Sequence, residues 1–150
     1  MLFSRIVETS SAVGATRSRK AKTEALRALL ADLDPVDTGT VVSWLSGELP
    51  QGRIGIGWRT LADIEAAPAE APSLGIGDVD SVIGDVASTS GPGSAGRRRS
   101  LLTELLSRAT AAERDFLVRL LTGELRQGAL EGVMTDAIAK APVPASKLRK

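Results

Sequence analysis

A chain of 150 residues, 43% hydrophobic and 25% charged, is long enough to bury one sizeable core and ordinary for a folded domain. It contains no cysteine and no histidine, which excludes disulfides, thiolate or imidazole metal sites and histidine acid–base chemistry, and no apolar run approaches the ~20 residues of a membrane span. The net charge is only +1, yet bases gather in Arg17–Lys22, Arg97–Arg99 and Lys147–Lys150 while none falls between Arg59 and Arg97, a segregation that points to a local anionic partner.

In chain order, Phe3, Ile6 and Val7 open a helix with apolar residues recurring at three and four. A second helix, from about Ser18 to Leu33, places Ala25, Leu26, Leu29, Leu30 and Leu33 on one face. Asp34 is a good N-cap with Pro35 at the first helical position, and the helix it starts carries Val41, Val42, Trp44, Leu45 and Leu49 before stopping near Pro50 and Gly52. Gly52–Gly57 reads as a glycine turn leading to a short helix with Trp58, Leu61 and Ile64 on its apolar side. Residues 65–77, rich in Ala, Pro and Gly, read as a linker. Beyond it Val79, Val82, Ile83 and Val86 form a helical face, Ser88–Gly96 a loop, and Leu101, Leu102, Leu105 and Leu106 another face. Thr110-Ala111-Ala112-Glu113 is a capping box opening the helix of Phe116, Leu117, Leu120 and Leu121, and Val133, Met134 and Ile138 complete the unit before Pro142. No period-2 pattern survives, so the fold class is all-α.

Ser46-Gly47-Glu48-Leu49-Pro50-Gln51-Gly52 returns as Thr122-Gly123-Glu124-Leu125-Arg126-Gln127-Gly128, 76 positions later. In the same register Leu26, Leu29 and Leu30 map onto Leu102, Leu105 and Leu106, and Asp34-Pro35 falls opposite Thr110-Ala111. A repeat at fixed spacing implies one supersecondary unit used twice. The expected organisation is a two-fold pseudo-symmetric helical domain: half one about 1–64, a linker about 65–77, half two about 78–141, and 142–150 starting a connection to something further.

The groups able to do chemistry are few. Arg17, Ser18, Arg19, Lys20 and Lys22 surround one helix start; Gly93, Ser94, Arg97, Arg98 and Arg99 surround its repeat-mate. Cations there oppose the helix dipole unless an anion docks between them and the free amides, and the small residues of 90–96 would let a phosphate approach. A solvated charged turn is the plainer alternative. Arg53, Arg126 and Gly128 border glycine turns, where phosphate contact and a local role are evenly balanced. Glu48, Leu49, Glu124 and Leu125 suit a helix C-terminal cap that closes the core. Gly52-x-x-Gly55-x-Gly57 follows a helix and lacks a Lys-Ser/Thr ending, so a tight turn is preferred to a nucleotide loop. Asp78 and Asp80 fit helix caps better than a metal site, and Trp44 and Trp58 fit core packing better than base stacking. No catalytic or metal-ligating set is assigned.

With Thr16-Arg17-Ser18-Arg19-Lys20, Gly93-Ser94-x-x-Arg97-Arg98 and Leu121–Gly128 in this order, the chain resembles the N-terminal DNA-binding domain of bacterial ATP-dependent DNA ligases. The resemblance covers essentially residues 1–150. It implies an all-α, pseudo-symmetric module lying on the minor groove of nicked duplex DNA, with phosphate-contacting loops at Arg17–Lys22, Gly93–Arg98, Gly52–Gly57 and Arg126–Gly128. The ligase nucleotidyl motif Lys-x-Asp/Glu-Gly is missing: Lys22-Thr23-Glu24 continues with Ala25, and Lys140 is followed by Ala141-Pro142. ATP and Mg, with the adenylation and oligonucleotide-binding domains, would belong to a region after Lys150.

The expectation is therefore a non-catalytic, sequence-tolerant arm binding duplex or nicked DNA in support of replication, repair or recombination. It is expected to be monomeric, cytoplasmic, nucleoid-associated and without a membrane partner. The alternative is a helical-repeat protein-interaction module.

Overall fold

The computed structural model describes residues 1–52 and 54–125. Among these, seven α-helices follow one another: α1 (Phe3–Gly14), α2 (Arg19–Asp32), α3 (Thr38–Leu45), α4 (Trp58–Ala62), α5 (Ile76–Ser88), α6 (Ser94–Ser107) and α7 (Ala111–Thr122). A 3-10 turn, Pro35–Asp37, precedes α3, and an isolated antiparallel bridge joins Leu2 to Gly75. The all-α class holds. The expected face of Val133, Met134 and Ile138, the break at Pro142 and the 142–150 connection lie outside the described residues.

The apolar spacing read from the sequence becomes one core rather than two. Phe3, Ile6 and Val13 bury the inner face of α1, which packs on α2, α3 and α7. Phe3 meets Trp44 of α3 edge-on at 5.4 Å and Phe116 of α7 at 5.6 Å, an arrangement of rings worth ~0.5–1.5 kcal/mol per pair beyond the area buried. With aromatics so scarce, these three rings join the two expected halves, and leucines and valines from both fill the space around them.

Local signals decide the helix ends. Ser18 caps α2 by accepting from the Ala21 amide at 3.1 Å, and Asp34 accepts from the Val36 amide at 3.0 Å. In the capping box of α7 the Glu113 carboxylate accepts from the Thr110 amide at 2.8 Å, and the Thr110 hydroxyl accepts from the Glu113 amide at 3.2 Å. α3 ends at Leu45, earlier than expected, because Gly47 turns left-handed at φ +84°. Its amide donates to Trp44 O at 2.9 Å and that of Glu48 to Ser43 O at 2.8 Å. The equivalent bonds close α7: Gly123, at φ +77°, donates to Leu120 O at 3.3 Å and Glu124 to Arg119 O at 2.8 Å. Both copies of Gly-Glu-Leu thus form the same C-terminal cap, with a left-handed residue that glycine alone adopts at no steric cost.

Two expectations are corrected, and the 65–77 linker is seen to be docked on its neighbours: Ala69 N–H donates to Ala109 O at 2.9 Å, Phe3 N–H to Leu74 O at 2.8 Å, and Leu74 is buried. The loop expected at Ser88–Gly96 shortens to 89–93, since α5 runs through Ser88 and α6 begins at Ser94. Trp58, placed on an apolar face from its spacing to Leu61 and Ile64, is 59% exposed, because α4 is a single turn whose first residue projects beyond the core that Leu61 reaches.

Candidate nucleic-acid interface

The two basic helix starts are built differently. At α2 the Ser18 hydroxyl occupies the Ala21 amide and the Thr16 hydroxyl accepts from the Ser18 amide at 3.1 Å, so this end is partly closed by its own side chains. Arg17, Arg19 and Lys20 are exposed around it and Lys22 is half-buried; no side-chain hydrogen bond or ion pair within the described residues holds Arg17, Lys20 or Lys22. At α6 the cap position belongs to Gly93, at φ +77° and without a side chain to offer, while Ser94 is already helical. Ser18 and Ser94, matched in the 76-residue register, therefore do different work. Gly91 is also left-handed, at φ +87°, so the 89–93 loop carries its backbone amides into a more open helix start.

The three consecutive arginines of α6 separate as well. Arg97 is exposed and folds back over the loop, donating to Ser90 O at 3.2 Å. Arg98 is half-buried and donates to the Ile54 carbonyl, and Arg99 donates to Asp63 O at 3.1 Å. Arg98 and Arg99 thus fasten both ends of the 54–63 segment to the start of α6, a task that spacing on a helix does not announce. Arg114, on α7, does the same from the other side: its guanidinium donates to Ile64 O at 2.7 Å, Ala66 O at 3.1 Å and Leu61 O at 3.4 Å, tying down the last turn of α4 and the chain just after it. Sequence reading passed over Arg114 because its partners are backbone atoms some fifty positions upstream. Arg53, Arg126 and Gly128 lie outside the described residues.

The acidic residues have local duties. Asp78 accepts from the Gly75 amide at 2.8 Å at the start of α5 and lies 3.6 Å from Arg108, and Asp80 accepts from the Gln51 side chain at 2.9 Å. Glu113 is buried, with one carboxylate oxygen accepting from the Thr110 amide in the α7 cap. A cleft of about 650 Å³ runs between the two duplicated turns, walled by Gly47, Leu49, Ile54 and Ile56 on one side and Leu120 and Thr122 on the other. Among the described residues the large exposed hydrophobics are Met1, Leu2, Val36 and Trp58, on three separate elements rather than one broad groove. No described helix is long and apolar enough to cross a membrane.

Comparison with known proteins adds the decisive observation: the family model for the DNA ligase N terminus matches residues 64–139, half of the chain. The chain belongs to the DNA ligase N-terminus family. It is 62% identical over its whole length to a probable DNA ligase of Rhodococcus jostii (strain RHA1), covering 30% of that protein. It is similar also to probable DNA ligases of Rhodococcus opacus (strain B4), 64% identical over 94% of the chain and 28% of the relative, and of Nocardia farcinica (strain IFM 10152), 51% identical over all of the chain and 29% of the relative. This ligase domain spans about three-tenths of the length of the curated relatives it matches.

Among the described residues the cleft in this ligase domain has no lysine in its walls, and Lys20 and Lys22 stand at the start of α2 without the carboxylate–glycine pair of the ligase nucleotidyl motif.

Proposed function

We propose that this domain is the non-catalytic, duplex-DNA-binding arm of an ATP-dependent DNA ligase, holding backbone phosphates around a nick while catalytic domains elsewhere in the parent protein seal it. The observation that carries the reading is the pair of basic helix starts within a ligase N-terminal family member. Arg17, Lys20 and Lys22 stand unpaired among the described residues around the start of α2, where they oppose the helix dipole. An exposed cation at that end is unfavourable by ~0.3–1 kcal/mol, a cost that turns into a gain once a phosphate sits between side chain and amides. The open, glycine-lined start of α6, flanked by Arg97, supplies a second place of the same kind.

Arg98 acts in this reading mainly by positioning, since it is half-buried with its guanidinium on the Ile54 carbonyl, whereas Arg97 and Arg99 are exposed and each donates to a single carbonyl, of Ser90 and Asp63, with the rest of the fork facing outward. Affinity then comes from phosphate neutralisation, with little base readout and a steep dependence on salt. The finer features belong to the same proposal: a monomeric domain, a cytoplasmic, nucleoid-associated parent serving replication, repair or recombination, and ATP and Mg confined to the catalytic domains.

The test is fluorescence anisotropy with intact and nicked duplexes across a salt series. Log affinity should fall linearly with log salt, and Lys20→Ala and Arg97→Ala should each reduce the slope by ~0.9. No binding to either duplex at low salt, or unchanged slopes in both variants, overturns the reading.

A further inference from the structure

The chain has four aromatic residues, two Phe and two Trp. Phe3, Trp44 and Phe116 are buried together, and Trp58 alone stands in solvent. Its spacing made it a core residue, and the core did not take it. An indole left in water forgoes the burial that makes Trp worth its size.

The segment beneath this ring is fastened at several points. Arg98 and Arg99 hold Ile54 and Asp63, the two ends of the segment on which it sits, against the start of α6, and Arg114 holds Leu61 and Ile64 from α7. Ile54, Leu61 and Ile64 are themselves buried. Trp58 therefore projects from a short turn anchored by three arginines, beside the basic helix start rather than on a loose loop. Exposed Arg59 adjoins it in sequence and Arg97 precedes the anchoring pair; Asp63 lies at the far end of the turn.

We infer that the Trp58 indole is a second, apolar contact of this domain with duplex DNA, packed on deoxyribose or an opened base step beside the phosphates taken by the start of α6. The inference rests on the DNA-binding reading and names a residue that phosphate electrostatics does not supply. A flat, uncharged ring next in sequence to exposed Arg59, on a segment fastened to the basic start of α6, matches a polyanion whose sugars and base faces are apolar, and it tolerates any sequence because every nucleotide presents such a surface. The contact is distinguishable from the ionic ones: it releases no counterions, so it changes affinity at every salt concentration by the same factor.

Trp44, fully buried, leaves Trp58 as the chain's one solvent-accessible fluorophore, so acrylamide quenching of the 150-residue chain reads the ring directly. Saturation with nicked or intact duplex should shield it from quencher. Trp58→Ala should weaken binding roughly 5- to 100-fold with an unchanged salt slope and little change in melting temperature, and Trp58→Phe should retain most of the affinity. If the wild-type chain binds duplex but the ring stays as quenchable as in the free protein, the inference falls while the DNA-binding reading stands. The same holds if Trp58→Ala binds within two-fold of wild type, or if it loses salt slope as an ionic contact would. If Trp58→Ala retains duplex affinity but reduces nick sealing by the full ligase, the ring faces a neighbouring domain and the inference is wrong. Absence of any duplex binding by the wild type removes both readings, and a Trp58→Ala variant that fails to fold leaves the wild-type quenching to decide.

Discussion

Gly47 and Gly123 occupy the same place in the duplicated Gly-Glu-Leu segment, and the structure separates their substitution to alanine sharply. Both are left-handed, at φ +84° and +77°, so a side chain at either costs ~1–2 kcal/mol from the clash of Cβ with the backbone. At Gly123 that is the whole charge among the described residues, since nothing there approaches an added Cβ. At Gly47 the added Cβ would overlap the backbone carbonyl oxygen of Leu125, far inside van der Waals contact. A carbonyl fixed at the end of the α7 cap cannot swing aside as a side chain can, so the turns must part, at a further ~1–3 kcal/mol typical of overpacking. Gly47→Ala should therefore lose ~2–5 kcal/mol and Gly123→Ala ~1–2. At ~2–4 °C per kcal/mol for a chain of this size, the first should melt several degrees below the second. Circular dichroism melts, checked by urea midpoints with unchanged m values, measure the gap. Equal losses in the two variants would refute the close approach of the duplicated turns and the argument built on it.

Arg114→Ala should cost ~1.5–3 kcal/mol, since it strips a charged donor from three carbonyls, whereas Arg97→Ala should stay within ~0.5 kcal/mol of wild type; thermal melts of the two distinguish anchoring from display. Thr110→Ala should lose ~1 kcal/mol through the α7 capping box, read from the urea midpoint. Joint replacement of Arg17, Lys20 and Lys22 should weaken duplex binding about as much as Arg97→Ala combined with shortening of the 89–93 loop, if both helix starts grip one duplex; anisotropy in which only one of the two loses affinity would assign the interface to a single half. Incubation with labelled ATP and Mg should leave the chain unlabelled, and a covalent AMP adduct on Lys20 or Lys22, found by mass spectrometry, would contradict the assignment of nucleotidyl transfer to another domain.

Much of this architecture was written in local patterns. The 3.6-residue spacing of Leu26, Leu29 and Leu33 or of Phe116, Leu117 and Leu120 sets a buried face because one turn of helix imposes it, and Ser18, Asp34 and Thr110 mark helix starts because their side chains satisfy amides within three residues. That the repeated Gly-Glu-Leu segment closes a helix was legible as well, although the stop of α3 was placed near Pro50 and Gly52 instead of at Gly47, whose left-handed turn comes first. Clustered bases were visible too, and with them the expectation of an anionic partner.

What the sequence could not apportion was the use of each base. Arg97, Arg98 and Arg99 read as one patch, yet only Arg98 is half-buried while Arg97 and Arg99 stay exposed, and the three donate to different carbonyls, those of Ser90, Ile54 and Asp63, two of them brought alongside only in the folded chain. Trp58 failed for the related reason that a periodic face is buried only as far as a neighbour extends over it. Helix ends and core faces were fixed by residues near in sequence; which cation anchors, which is displayed and which ring stays wet were decided by contacts some tens of residues apart, and those exist only in the folded chain.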